Sequence, residues 1–277
     1  MHRRTGVATS LGSGSWGLTP SSVGSGWPKT VLMLQILGIG VLVMIVADGV
    51  VGARLLLLAR RTRQLPEFCF GISFLFLGVI GYPLSIAARK AAMAGTPVPE
   101  LLPSALFIQD LASLAMFIAT WQTFRPKERW PRHVMWAGVA VFVASSFGDS
   151  VMAGTWQFRD GGVWYELGFW ARAGSFIWAA VEAGRYYGTM RRRMKLGLAD
   201  PVVTDRFRLW TISSCAIAAA FLIFYLGRLW SENVATSVPV LMTTSIAGLI
   251  AGITVWLAFV PPDSYVKRVR ARAEAFA

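Results

Sequence analysis

Chemistry in this 277-residue chain is carried by a few ionisable side chains set inside long apolar runs. Asp110 and Asp149 fall in two of these runs with no basic residue nearby on the same helix, and Arg172 enters a third about two turns from its start. A carboxylate at that depth must be protonated, hydrated or paired across helices, and an intramembrane guanidinium needs an anion. Gln109 lies beside Asp110 with Ser113 one turn on, while Ser145 and Ser146 share a face with Asp149 at i−4 and i−3. Together with Tyr82, these residues (Gln109, Asp110, Asp149 and Arg172) are the expected ligand-binding set. Two chemistries suit them: capture of a small or lipidic ligand in an outward-facing polar pocket, or uptake of a proton by Asp110 or Asp149 as a substrate moves. Arg228 with Glu232, at i and i+4, completes this outer tier.

A second tier, expected toward the cytoplasm, holds Asp48, Glu182 and Arg185. Glu182 and Arg185 are i, i+3 neighbours, so an intrahelical ion pair explains them as readily as a site does. Asp48 has no such neighbour and needs a partner from another helix. Arg54, Arg228 and Glu232 lie close enough to an interface for their heads to reach water while their stems stay in hydrocarbon.

Enzymatic chemistry is harder to build from this sequence. No nucleophile and base pair, and no metal-binding cluster, can be read from it, so no catalytic, cofactor-binding or metal residues are expected, and an enzyme ranks below a receptor or a transporter. The two histidines, His2 and His133, are too few for a haem pair or a multi-histidine zinc site. Cys69 and Cys215 lie in apolar runs without CxxC spacing and read as small packing residues.

The elements that must position these groups are apolar helices. A hydrophobic fraction of 55% and a mean hydropathy of +0.54, with apolar runs near 20 residues, indicate an integral membrane protein. The expected spans are 31–58, 67–88, 101–124, 133–155, 165–190, 209–230 and 238–260, preceded by a disordered extracytoplasmic tail over 1–30 and followed by a basic cytoplasmic tail over 263–277. The fold class is therefore all-α, a seven-transmembrane-helix bundle. The fifth span organises it, since it carries Arg172, Glu182 and Arg185 and then stops at Arg191-Arg192-Arg193-Met194-Lys195. Pro83 predicts a kink that frees a carbonyl in the second span. Asp200-Pro201 predicts a helix start, with a short interfacial helix before the sixth span. Thr244, Gly248 and Gly252 give the seventh a small-residue face for close packing.

Basic residues fix the orientation. Arg60, Arg61 and Arg63 close the first span, Arg125, Lys127, Arg129 and Arg132 the third, Arg191 to Lys195 the fifth, and Lys267 to Arg272 follow the seventh. The opposite side holds only Arg3, Arg4, Lys29, Arg89, Lys90 and Arg159. Positive loops stay in the cytoplasm, which places the N-terminus outside and the C-terminus inside. The net charge of +13 thus serves topology and anionic lipid, not nucleic acid.

In architecture alone, seven spans with an outside N-terminus resemble the microbial rhodopsins, the G-protein-coupled receptors, the seven-helix sensor regions of bacterial kinases and the sugar-transporting SWEET proteins. A retinal Schiff base needs a lysine in the last span, and Lys29, Lys90, Lys127, Lys195 and Lys267 all lie outside the apolar runs. The expectation is a ligand-binding sensor or receptor-like protein of the cell inner membrane, multi-pass, with the lipid bilayer, a small-molecule or lipidic ligand and a cytoplasmic protein as partners. A proton-coupled small-molecule transporter and a structural subunit of a membrane complex are the alternatives.

Overall fold

The structure is a computed structural model that describes residues 27–153, 162–230 and 237–274, with side chains from residue 38 onward except those of Asp149 and residues 152–153. The described residues are predominantly helical, with no strand among them. The helices are α1 (Trp27–Thr62), α2 (Leu65–Met93), α3 (Leu101–Phe124), α4 (Trp130–Ala153), α5 (Val163–Met194), α6 (Pro201–Trp230), α7 (Val238–Phe259) and α8 (Asp263–Glu274).

Five of them, α1 from Gly38 onward, α2, α3, α6 and α7, are long and apolar enough to cross a membrane. The shortest, α7, has 22 residues, or about 33 Å at 1.5 Å per residue, against a hydrocarbon core of about 30 Å. Helices α4 and α5 are 24 and 32 residues long. They differ in polar content: α5 carries Arg172, Glu182 and Arg185, and α4 opens on Trp130-Pro131-Arg132-His133.

The helices close a ring. α1 packs on α2, α2 on α3, α5 on α6, α6 on α7, and α7 back on α1, while α3 touches α2, α4 and α5. The shared core runs through Val51 of α1, Phe70 and Phe74 of α2, Met116 of α3, Phe176 of α5, Trp210 of α6 and Val255 of α7. Phe70 meets Trp210 edge to face at 4.5 Å between ring centroids, the geometry favoured by the aromatic quadrupole.

Two expectations about the elements need correction. Of the expected tail, residues 1–26 lie outside the described residues, but 27–30 already belong to α1. No separate interfacial helix precedes the sixth run: α6 starts at Pro201 and continues unbroken, because Asp200 caps it and no glycine or proline interrupts the stretch to Leu209. The Asp200 Oδ1 accepts from the N–H groups of Val202 and Val203 at 2.6 and 3.3 Å. Within the basic C-terminal segment Asp263–Glu274 forms α8, held to α6 by the Tyr265 hydroxyl donating to Asp205 at 2.5 Å.

The expected kink at Pro83 takes a particular form. Residues Leu75–Gly81 wind as a π-helix inside α2, with the Tyr82 N–H reaching back five residues to the Leu77 carbonyl. Proline lacks an N–H and its ring crowds the carbonyl four residues earlier, so a wider turn just before it relieves both problems.

Close helix approach joins α1 to both α2 and α7: a Cβ on Gly40 would lie 2.9 Å from the Ser245 carbonyl oxygen, and one on Gly252 would lie 3.2 Å from Met44 Cα. A Cβ on Gly71 would lie 2.8 Å from Leu56 Cδ2 and 3.0 Å from the Gly52 carbonyl, with no room to give. The small face of α7 is looser at Gly248, where a Cβ would meet the Met44 sulfur at an ordinary 3.5 Å. Gly71→Val should therefore cost about 1–3 kcal/mol of stability, read as a lowered unfolding midpoint in mild detergent, whereas Gly248→Ala should stay within about 0.5 kcal/mol. Equal losses for the two would contradict the packing described.

Candidate functional site

Asp110 and Arg172 meet in the bundle interior. They sit on α3 and α5, their side chains are 3% and 2% exposed, and Arg172 Nη1 lies 2.5 Å from Asp110 Oδ1. The second carboxylate oxygen, Oδ2, accepts from the Ser146 hydroxyl of α4 at 3.0 Å, so three helices converge on one carboxylate. Arginine keeps its proton under all ordinary conditions, so a guanidinium this deeply buried requires an ionised partner. Among the described residues that partner is Asp110. Gly168, one turn before Arg172, makes space for the pair: a Cβ there would lie 2.7 Å from the Ser145 hydroxyl oxygen and 3.3 Å from Arg172 Nη1.

Gln109 follows a different neighbour. Successive residues on a helix diverge by about 100°, and the Gln109 amide points to α2, where its Nε2 donates to the Gly81 carbonyl at 3.0 Å and to the Ser85 hydroxyl at 2.7 Å. The receiving Gly81 ends the π-helical segment, so a backbone carbonyl beside Pro83 does find a side-chain partner. Tyr82 is half-buried on α2 and makes no hydrogen bond to the Asp110–Arg172 pair. Asp149 belongs to α4, but its side chain lies outside the described residues. Ser113 is buried without a hydrogen-bond partner among the described residues, so it does not support Asp110.

Beside the pair, α3 and α4 enclose a narrow apolar crevice of about 80 Å³. Phe107, Leu111, Val139, Val143 and Phe147 form its walls, Asp110 and Ser146 lie buried behind them, and the surface the crevice presents is apolar. Phe107, Leu111, Val143 and Phe147 are all more than a third exposed, so the crevice faces outward from the bundle.

The second expected group divides. Glu182 is 4% exposed and takes its nearest cation from another helix: Arg125 Nε, at the end of α3, lies 3.0 Å from Glu182 Oε2. The i+3 neighbour Arg185 is farther, at 3.7 Å, and is 66% exposed. Arg125 also binds Glu128 at 2.6 Å, and the Trp130 indole donates to the same carboxylate. Those two hydrogen bonds, that from Arg125 first, hold the Glu128 carboxyl below its ordinary range. Asp48 does not join this network. It is buried on α1, makes no hydrogen bond or ion pair with any described residue, and presses against Gly78 of the π-helical segment so closely that a Cβ there would collide with the carboxylate.

At the opposite end of the bundle, Arg228 of α6 pairs with Glu166 of α5 at 2.5 Å and stacks over Tyr165, 5.0 Å from its ring centroid. Sequence spacing pairs Arg228 with Glu232, which lies outside the described residues. Arg89 of α2 reaches the same aromatic group, 3.4 Å from the Tyr165 hydroxyl and over the Phe224 ring.

Comparison with protein-family models, curated proteins and solved structures finds no match to this chain.

Breaking a buried pair costs more than replacing it. Asp110→Ala leaves Arg172 uncompensated and should destabilise the protein by about 3–5 kcal/mol, while Asp110→Leu combined with Arg172→Met should recover most of that loss. Glu182→Gln should cost less, because Arg125 is 28% exposed and water can take over its charge. Thermal unfolding of the four proteins in one detergent gives the ranking. A double variant as unstable as Asp110→Ala would show that the two side chains do not act as a pair.

Proposed function

We propose that the chain is a seven-span protein of the cell inner membrane, N-terminus outside and C-terminus cytoplasmic, that binds a small or lipidic ligand at the Asp110–Arg172 pair and signals to a cytoplasmic protein. The observation that carries this reading is a charged pair buried to 3% and 2% exposure beside an apolar crevice that opens outward. A brace alone is built more cheaply from apolar side chains, since desolvating two charges offsets most of their attraction. A pair retained at such cost suits a bistable contact that a ligand opens. The ligand it fits has an acceptor for the Arg172 fork, a donor for Asp110 and an apolar body for the Phe107 and Val143 walls.

Coupling would run along α3, whose adjacent Gln109 holds the π-helical turn of α2. Clustering of basic helix ends supports the orientation: Arg125 at the end of α3 reaches Glu182 in the last turns of α5, so those two basic termini share one side.

One observation favours the second reading, proton-coupled transport. Asp48 is a buried carboxylate without a cation among the described residues, the arrangement from which a proton is gained and lost most freely as a helix moves. Here Asp48 and not the paired Asp110 would carry the proton.

Both readings are tested on purified protein. Mass spectrometry of small molecules extracted from wild type and from Arg172→Gln, prepared side by side, should show a stoichiometric compound in the first and at least tenfold less in the second. Identical extracts would contradict the receptor reading. In liposomes, flux driven by a pH gradient and abolished by Asp48→Asn would replace it with the transporter.

A further inference from the structure

Between α1 and α7 the bundle surface holds an apolar groove of about 320 Å³, lined by Leu42, Val43 and Val46 on one side and Gly252, Ile253 and Trp256 on the other. The two helices run in the same direction, because Gly40 faces Ser245 while Met44 faces Gly252. Leu42, Val46 and Ile253 are 59%, 51% and 46% exposed, so the groove opens away from the core. Both helices are long and apolar enough to cross a membrane, which puts this opening among acyl chains. An apolar cavity of about 150 Å³ already holds a benzene ring, so the groove has room for a length of hydrocarbon chain.

An apolar trough would accept any lipid, but a charge makes this one selective. Ala47 lines the groove, and Arg54 and Arg61 follow it at seven-residue intervals on the same face of α1. Each interval advances about 10 Å along the helix. Arg54 is exposed and has no hydrogen bond or ion pair with any described residue. Its head lies close enough to an interface to meet a lipid head group, and its planar fork matches the oxygens of a phosphate.

We infer that the α1–α7 groove binds an anionic phospholipid, with one acyl chain against Val46 and Ile253 and the phosphate on Arg54. Arg61, a further two turns along, adds positive potential that a choline head group would oppose and a glycerol head group would not. The site is separate from the Asp110–Arg172 pair and stands or falls independently of it; it requires only that α1 and α7 cross a membrane. The rival occupant is a second copy of this chain, and the test separates the two.

The full chain is reconstituted in nanodiscs of mixed phosphatidylcholine and phosphatidylglycerol, released into mild detergent and weighed by native mass spectrometry. Wild type should retain one phosphatidylglycerol in clear preference to phosphatidylcholine. Arg54→Gln should lower that retention by about fivefold, whereas Arg268→Gln on α8, equally basic but far along the chain, should leave it unchanged. Val46→Trp fills the groove and should abolish retention of either lipid. If that variant elutes as aggregate, Leu42→Trp at the exposed mouth serves instead. Equal retention of the two lipids, equal effects of the two arginine substitutions, or a stable dimer that Val46→Trp dissociates would each overturn the assignment.

Discussion

A guanidinium that cannot shed its proton, carried to 2% exposure in an apolar bundle, constrains everything around it. Arg172 cannot be neutralised, so its counter-ion must come with it, and the counter-ion sits on a different helix. Once Asp110 is committed to Arg172, α3 and α5 are fixed in register; once Ser146 donates to the other carboxylate oxygen, α4 joins them. Gln109, the adjacent residue on α3, faces the other way and ties α2 into the same arrangement. α3 is thus the hub, with two consecutive polar residues serving opposite neighbours about 100° apart.

The interior charges differ in what surrounds them. Asp110 and Arg172 are closed off together, so their attraction is strong and so is the cost of separating them. Glu182 and Arg125 lie at a helix end where Arg125 keeps 28% of its side chain in contact with the surroundings, and that pair is correspondingly weaker. Asp48 has neither arrangement: it is buried without a cation among the described residues, against a helix segment already widened into a π turn. The closed pair thus sits on α3 and α5, and the buried carboxylate that has no cation among the described residues sits on α1.

The apolar runs and their basic ends are legible in sequence because hydrocarbon thickness and charge asymmetry act on contiguous residues. The need for partners is legible too, since Arg172 and Asp110 each lack one nearby on the same helix. Which residues satisfy that need is set by side-chain facing across helices, and spacing along the chain does not encode it. Arg125 shows the difficulty: read as one more topology charge, it is also the nearest cation to Glu182, in preference to the local Arg185. Arg228 shows it again, pairing with Glu166 from α5. The π turn hides behind Pro83, whose kink is predictable while the helical form that it takes is not. Helix α8 was masked by its charge, though Asp263 directly after two prolines is a legible helix start.

The account rests on Asp110 being an ionised carboxylate bound to Arg172 within the membrane-embedded bundle. Infrared difference spectroscopy of wild type against Asp110→Asn in lipid tests this directly. The account predicts that the substitution removes a carboxylate stretching band and that isotopic labelling of arginine shifts the same band. Loss of a protonated carboxyl band instead, insensitive to the arginine label, would contradict it.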